Sequence, residues 1–416
     1  MKVLVCHPAQ QHSYRLATAL KRDNMLDAYC TTVYYKPSSF TALVAKILKG
    51  KFRVKARNRR CEALEDCEVV QFCEIQGLLK LLALNVPKLW PVYYLLKYGT
   101  ADRFARKVAK YAIKHDVDAV VTYDDSSPLL FEILKEKAPH IKRILDVSAA
   151  NLLYMRRIYD IDTVKMPQFA DRLHTEYAKA WNEQILDRAL REIQGAQYFL
   201  APSEFVEKSL KYSGVKDEQM LLCPYGVDVS EFSCKKYEPK KQTDPLQFIY
   251  VGGVKELKGI SYLLEAFLRI PSDKAHLTVV GQFNSEDADI QSYLNQINFT
   301  GSVLHSDIPN LLKEADVFIF PSLGDSFALS ALEAAACGLP LIVSTNTGMK
   351  DLMEEGREGY IIPIQDIDAI VEKITWFCEH REQLEPMGKA ARKMALRFTW
   401  DRYYTGVSEK IAGVLK

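Results

Sequence analysis

The sequence predicts an α/β protein built of two doubly wound, parallel-sheet domains. Three observations carry that expectation. A chain of 416 residues is too long for one ordinary core and suits two. Short buried-strand patterns alternate with amphipathic helical ones in two successive series, as in βαβ units. Between the series, 229–245 turns to Lys, Pro and polar residues, the composition of a linker. The expected division is therefore 1–228, a linker at 229–245, and 246–399.

Composition narrows the function classes. With 48% hydrophobic and 26% charged residues, the chain has the balance of a globular protein. A net charge of +2 supplies no global field for nucleic acid, so any basic surface must be local. The nine cysteines show no C-x-x-C pair and no zinc-like spacing, which predicts a reduced, cytoplasmic setting. Met1 to Val5 runs directly into a strand pattern without the charged and apolar regions of a leader, and no apolar run reaches the length of a membrane span.

In the first series, Lys2 to Cys6 reads as a buried strand, followed by the loop His7 to His12 and a helix over Ser13 to Lys21. This order puts Gln11 and His12 at the carboxyl edge of a parallel sheet, where such folds bind ligands. Ala28 to Tyr35 reads as the second strand. From Lys36 to Arg60 there are nine basic residues and no acid. Phe40, Leu43, Val44, Ile47 and Leu48 form one apolar stripe on a helix ending near Gly50, after which Lys51, Arg53, Lys55, Arg57 and Arg59 alternate. Two readings stay open: a surface for anionic lipid headgroups, joined by the apolar stretch Leu78 to Tyr98, or a stripe packed on the domain beneath a solvated basic face. Val69 to Ile75, Ala119 to Tyr123 and Arg143 to Val147 read as further strands, with helices over Ala101 to Lys114 and Pro128 to Lys137. Asp124 and Asn151 follow two of these strands and face the same edge. The charged stretch Glu176 to Gln194 reads as one long helix.

The second series opens with Leu246 to Val251, the loop Gly252 to Gly259, and a helix with Ile260, Leu263, Leu264, Phe267 and Leu268 on one face. Leu277 to Gly281, Val317 to Phe320, Leu341 to Val343 and Tyr360 to Ile362 complete the sheet. After Phe320, Ser326 suits the N-cap of a helix running through Cys337, closed by Gly338 and Pro340. The amides of Phe327, Ala328 and Leu329 would then be unpaired at its positive end, ready for a diphosphate. Asp325 and Glu333, eight positions apart, can both reach this edge. An ordinary capped helix with Glu333 in solvent is the alternative. D-x-D triplets begin at Asp116, Asp160, Asp287 and Asp366, none at a strand end, so no metal site is expected.

The stretch from Gly324 to Leu341 resembles the E-x7-E signature of family 4 glycosyltransferases of GT-B fold, bacterial polysaccharide type, usually near E-G-F-G-L-x-x-x-E-A-x-A-x-G-x-P. Phe327, Leu329, Glu333, Ala334, Ala336, Gly338 and Pro340 match, Asp325 stands where the first Glu is usual, and Ser326 and Ala328 replace glycines. Pro202-Ser203-Glu204-Phe205, Pro224-Tyr225-Gly226-Val227-Asp228 and Phe398-Thr399-Trp400-Asp401 resemble further family segments. The last of these implies a final helix, about 400–416, that crosses back to the first domain.

The resemblance implies two Rossmann-like domains facing a central cleft, the first for acceptor and the second for donor. It also implies a retaining, metal-independent transfer from a UDP- or GDP-linked sugar to a glycan or lipid-linked acceptor, with no cofactor besides the donor. Asp325, Glu333 and Lys258 are the implied catalytic group. Gly252, Gly253, Lys258, Gly281, Val303, Ser326, Phe327, Ala328, Leu329 and Glu333 are the implied donor contacts. Gly253 stands where the family has an Arg, and Asn151 near where related enzymes often carry a His. Gln11, His12, Asp124 and Asn151 are the acceptor-side candidates, and Lys51, Arg53, Lys55 and Arg57 the candidates for peripheral contact with the inner face of a membrane. Two other readings share the fold: a non-hydrolysing sugar-nucleotide epimerase, and a degenerate subunit supporting an active partner.

Overall fold

The computed structural model describes residues 1–416 other than 11, 125, 127, 239, 240 and 242, and leaves the side chains of 51, 87, 90, 91 and 94 undescribed. Runs rich in Val, Ile, Leu and Tyr form β1 (Val3–His7), β2 (Leu26–Thr31), β3 (Val69–Gln71), β4 (Ala119–Tyr123), β5 (Lys142–Asp146), β6 (Tyr198–Ala201) and β7 (Met220–Leu222). They pair in parallel in the order β3-β2-β1-β4-β5-β6-β7. The second sheet contains β8 (Leu246–Val251), β9 (Ala275–Val280), β10 (Asn298–Gly301), β11 (Val317–Phe320), β12 (Leu341–Ser344) and β13 (Gly359–Ile362). Its parallel order is β10-β9-β8-β11-β12-β13. The expected class, two doubly wound parallel-sheet domains, is what the chain adopts. Winding reverses between β1 and β4 and again between β8 and β11, which opens a crevice at the carboxyl ends of each pair.

Three strands, Ala119–Tyr123, Leu246–Val251 and Val317–Phe320, coincide with the sequence reading. The second strand stops at Thr31 rather than Tyr35, because the hydroxyls of Thr31 and Thr32 turn to the carbonyls of Ala9 (3.1 Å) and Pro8 (2.8 Å). The basic region forms two helices, Phe40–Ile47 and Gly50–Arg57, instead of a helix and an extended strip. The helix expected from Ala101 begins at Trp90, with a proline in its first turn where a missing N–H costs nothing. The expected long helix from Glu176 is broken at Asn182, whose side chain caps Glu183–Gly195 by accepting from the Ile185 amide.

The last helix, Trp400–Leu415, packs on the helix Ser13–Arg22 of the first domain. Tyr403, Tyr404, Val407 and Ile411 are buried in the core that contains Leu16 and Leu20. The chain reaches that position through a close approach: a Cβ on Gly226 would lie 2.2 Å from the Thr399 carbonyl carbon. Arg15 donates to the Tyr404 hydroxyl at 2.7 Å and stacks 4.5 Å over Trp400.

The helices Leu152–Lys165 and Ala170–Glu176 of the first domain meet the loops after β8 and β9. Arg172 forks onto Asp289 (2.6 and 2.7 Å) and reaches Asp287 (2.8 Å), so this D-x-D triplet is an interdomain clamp. Glu176 accepts from the Glu256 amide at 2.9 Å. The buried carboxyls of Glu256 and Asp162 interact directly, with the Ser261 hydroxyl donating to Glu256 (2.6 Å) and the Tyr262 hydroxyl to Asp162 (2.7 Å). Burial raises the pKa of both, and their mutual repulsion favours one shared proton. Burial pushes Glu176 up to about 7 against the pull of Arg172, and Asp351, which accepts from the Glu204 amide, up to about 6.

These carboxyls bind protons in the folded protein at pH values where an unfolded chain has released them. Their contribution to stability is therefore complete at acid pH, below the ordinary carboxyl range, and falls as pH rises, the shares of Asp351 and Glu176 being lost as pH passes about 6 and about 7. Thermal unfolding followed from about pH 5 to about pH 8 should show a falling Tm, and Glu176→Gln should flatten the profile. A wild-type Tm that holds constant or rises over this range would overturn the assignment.

Candidate functional site

The loop after β8 ends in a 3-10 turn, Glu256–Lys258, followed by Gly259 at φ +70°. A Cβ there would sit 2.0 Å from the Pro321 carbonyl oxygen, so glycine is what lets this loop touch the one after β11. Lys258 and Asp325, from the two sides of the β8/β11 crevice, meet at 2.5 Å. The other oxygen of Asp325 accepts from the amides of Phe327 (3.0 Å) and Ala328 (2.6 Å). Burial opposes ionisation of this carboxyl, but Lys258 and the two amides outweigh it and hold the pKa below its usual value.

This geometry corrects the expected cap. Asp325, not Ser326, satisfies the first amides, and the helix proper is Leu329–Ala336. Phe327 and Ala328 are thus not free to bind an anion; at this helix start, among the described residues, the amides of Ser326, Leu329 and Ser330 have no protein acceptor. Ala328 sits at φ +62°, a left-handed conformation that costs an alanine about 1 kcal/mol, at a position where the resembling family has glycine.

Glu333 lies on the next turn, largely buried, with one oxygen 3.3 Å from His305 Nε2. Burial raises its pKa, and His305 partly offsets that. The two carboxylates therefore do not share a partner: Asp325 has Lys258 and Glu333 has His305. His305 was not foreseen, although it falls in the segment following β10, beside half-buried Val303. Gly281 is held by contact, since a Cβ would lie 1.7 Å from the Gly252 carbonyl oxygen. Gly253 is under no such constraint, because a side chain there would meet only the flexible Lys255 methylenes at 3.5 Å. Phe327 is buried against Tyr225, with ring centroids 5.4 Å apart, and Leu329 is 39% exposed at the crevice.

On the facing domain, His12 Nε2 lies 3.1 Å from both oxygens of Asp146 and 3.0 Å from the Tyr225 hydroxyl. Burial disfavours the imidazolium, but Asp146 and Asp124 overcome it and raise the pKa. Through Tyr225 and Phe327 this histidine is linked to the loop of Asp325. Asp124 accepts from Ser148 at 2.6 Å. Gln11 lies outside the described residues. Asn151 turns out to be a structural cap: its carbonyl oxygen accepts from Leu153 and Tyr154 amides and its amide donates to Ser213 at 2.9 Å. With its polar atoms engaged and the residue buried, it does not offer the acceptor a contact. Asp146 and Tyr225 were missed as partners because they are 134 and 213 residues from His12 in sequence.

The basic region also differs from expectation. On a helix, Arg53 and Arg57 share one face while Lys55 points elsewhere, so these residues do not form a strip. The Lys51 side chain lies outside the described residues. Thr41, Ala42 and Ala45 are the buried positions of Phe40–Ile47, and the apolar stripe is turned outward: Ile47 is 76% exposed. Leu43, Phe52, Val54, Leu79, Leu82 and Leu95 are exposed on this and the adjoining helices. Among the described residues no helix is long and apolar enough to cross a membrane, and no cluster of His, Cys, Asp and Glu could hold a metal ion.

Comparison with known proteins bears on the fold and on the second domain. Residues 234–394 match the family of glycosyl transferases group 1. Sucrose-phosphate synthase from Thermosynechococcus elongatus superposes with TM-score 0.66 over 100% of this chain and 99% of its own, at 17% identity. The fold is GT-B. Anabaena Alr3699/HepE in complex with UDP superposes with TM-score 0.62 over 99% of this chain and 100% of its own, at 15% identity. D-inositol 3-phosphate glycosyltransferase of Paenarthrobacter aurescens (strain TC1) is 24% identical over 231 residues, 51% of this chain and 56% of that protein. The chain thus spans about half the length of the curated relatives it matches.

Removing the Asp325 carboxylate would leave two amides and a partly buried ammonium without their partner. Asp325→Ala should therefore lower unfolding stability by about 1–3 kcal/mol, while Asp325→Asn, which keeps an acceptor for the amides, recovers part of it. Urea denaturation of both variants checks this, and an unchanged midpoint for Asp325→Ala would show that the loop is held by other contacts.

Proposed function

We propose that the protein is a metal-independent, retaining glycosyltransferase of family 4. It moves a sugar from a UDP- or GDP-linked donor to a glycan or lipid-linked acceptor in cell-surface polysaccharide or glycolipid synthesis. The observation that carries this reading is the meeting of Lys258, Asp325, the Leu329 and Ser330 amides and Glu333 at the β8/β11 crevice of a GT-B fold. The matched family domain and a UDP-bound structural neighbour support it. Residues 246–399 serve the donor, and 1–228, joined by the last helix, serve the acceptor.

In this scheme the donor diphosphate lies over the free amides, with Lys258 compensating its charge and Glu333 accepting from a donor hydroxyl. The bond from the anomeric carbon to the phosphate oxygen breaks as the acceptor oxygen bonds to the same face. The acceptor's proton passes to the departing phosphate oxygen, so no protein nucleophile is needed. A panel of UDP-, GDP- and TDP-sugars, assayed for slow hydrolysis, tests the donor site. Glu333→Gln should abolish turnover with the fold intact, and Lys258→Ala should cost about 2–4 kcal/mol of transition-state stabilisation. Wild-type rates in both would end the assignment.

One observation favours a second reading, a degenerate subunit supporting an active partner. Lys258 and Asp325 neutralise one another, and Gly253 supplies no second cation. Hydrolysis of no nucleotide sugar, alone or with acceptor, would favour that reading.

The outward apolar stripe beside Lys46, Lys49, Arg53, Lys55 and Arg57 supports peripheral docking to an anionic membrane surface. A basic residue near such a surface is worth about 1 kcal/mol, and apolar insertion adds to it. The protein should bind vesicles containing anionic lipid but not neutral ones, release in high salt, and lose binding when Arg53, Lys55 and Arg57 become Glu. Wild-type protein that stays unbound at low ionic strength would remove the membrane from the proposal.

A further inference from the structure

Where the chain passes between the domains it leaves an electropositive notch that the donor chemistry does not use. Leu222 to Tyr225, running out of the first sheet, face Arg397, Phe398 and the last helix across a cavity of about 190 Å³. Gly406 lines this cavity and keeps it open, since an added Cβ there would meet nothing within 4 Å. Arg402 stands one turn before the glycine and Lys410 one turn after it, so both lie on the glycine's face of Trp400–Leu415. Arg397 lines the cavity as well, and the Arg402 guanidinium donates to its carbonyl at 2.9 Å.

No acidic residue lines this cavity. Arg402 belongs to the first turn of the last helix and Arg397 precedes it, so both stand at the positive end of the helix dipole. Asp401, the carboxylate of that turn, is engaged with Arg22 at 2.6 Å. Glu207 is within electrostatic reach of Lys410 but lies outside the lining. Among the described residues Arg397, Arg402 and Lys410 have no ion-pair partner. Thr399 caps the helix by accepting from the Arg402 amide at 3.4 Å and keeps its hydroxyl proton to donate. Like charges gathered without a counter-charge repel, and an anion among them would relieve that repulsion. Two guanidinium forks, an ammonium and a hydroxyl match the several oxygens of a phosphate.

We propose that Arg397, Arg402 and Lys410 form a binding site for a phosphate group. None of Lys258, Asp325 and Glu333 lines the cavity, so the site is separate from the donor crevice and independent of the transferase reading. Two sources share this chemistry, inorganic phosphate and the monoester of a phosphorylated sugar. Bound there, the anion ties Arg397, at the end of the second domain, to the helix that returns to the first. It braces the crossing where the Val227 amide donates to the Phe398 carbonyl at 3.0 Å.

Site-resolved lysine labelling tests the site on the full chain. Reductive methylation is followed by peptide mass spectrometry, with sodium chloride holding the ionic strength constant. Saturating inorganic phosphate should slow labelling at Lys410 about tenfold while exposed Lys216 is unaffected. Glucose 6-phosphate is the second probe. Protection at lower concentration than inorganic phosphate supports the site with a phosphorylated sugar as ligand; equal or weaker protection supports it with inorganic phosphate. Gly406→Glu sets a carboxylate between Arg402 and Lys410 in the open space beside the helix. This variant should fold and gain no protection from either probe, whereas Gly406→Ala should be protected like the wild type. If neither probe slows Lys410 more than Lys216 in the wild type, or if Gly406→Glu is protected as fully as the wild type, the proposal is overturned.

Discussion

One largely buried carboxylate organises the second domain's crevice. Asp325 takes Lys258 on one oxygen and the amides of Phe327 and Ala328 on the other, so three segments distant in sequence or direction are fixed by a single side chain. Its own backbone joins a fourth: its amide donates to the Asn346 carbonyl at 2.9 Å, and its carbonyl accepts from Gly348 at 3.2 Å. A charge removed from water is tolerated only when fully paired, and here pairing also decides where the helix begins. The alanine at φ +62° is the strain this arrangement sustains. Lys258 is consequently preorganised, and its charge can be transferred to an incoming anion only by weakening its hold on Asp325.

The same loop fixes the distance between the domains. A Cβ on Gly324 would lie 2.4 Å from Met155 Cε, so the first domain's helix rests directly on the segment before Asp325. Arg172 closes the other side of the interface. The carboxyls of Asp162, Glu176 and Glu256 are buried between these contacts. The interface therefore combines a strong ion-pair clamp with groups that resist ionisation, and the balance between them depends on proton activity.

Much of the fold was legible because strands buried on both faces read as short continuous apolar runs, a local signal. Leu246–Val251 and Val317–Phe320 are apolar runs bounded by Gly, Pro and Ser, and two separate series of such runs implied two sheets. The site was legible in its residue types but not in its pairings. Ser326 and Asp325 are both good caps, and sequence alone does not say which side chain turns back on the helix. Asn151 was read from its place after a strand, whereas its fate was decided by Ser209 and Ser213, some 60 residues on. The segment 51–57 alternates like a strand, yet with nothing to pair against, its lysines and arginines take the helix they intrinsically favour. Asp146 at His12 and His305 at Glu333 are tertiary contacts, and no local pattern announces them.

The return of Trp400–Leu415 to the first domain has a consequence for vectorial synthesis. Leu16 and Leu20 leave the ribosome long before Tyr403, Val407 and Ile411, and their core is incomplete until that helix has cleared the exit tunnel. The second domain's sheet, complete by Ile362, has all of its strands before the first domain has its last layer. The nascent chain thus exposes an unfinished apolar face from the emergence of Leu16 and Leu20 until Trp400–Leu415 arrives, and a chaperone bound there would be displaced by that helix.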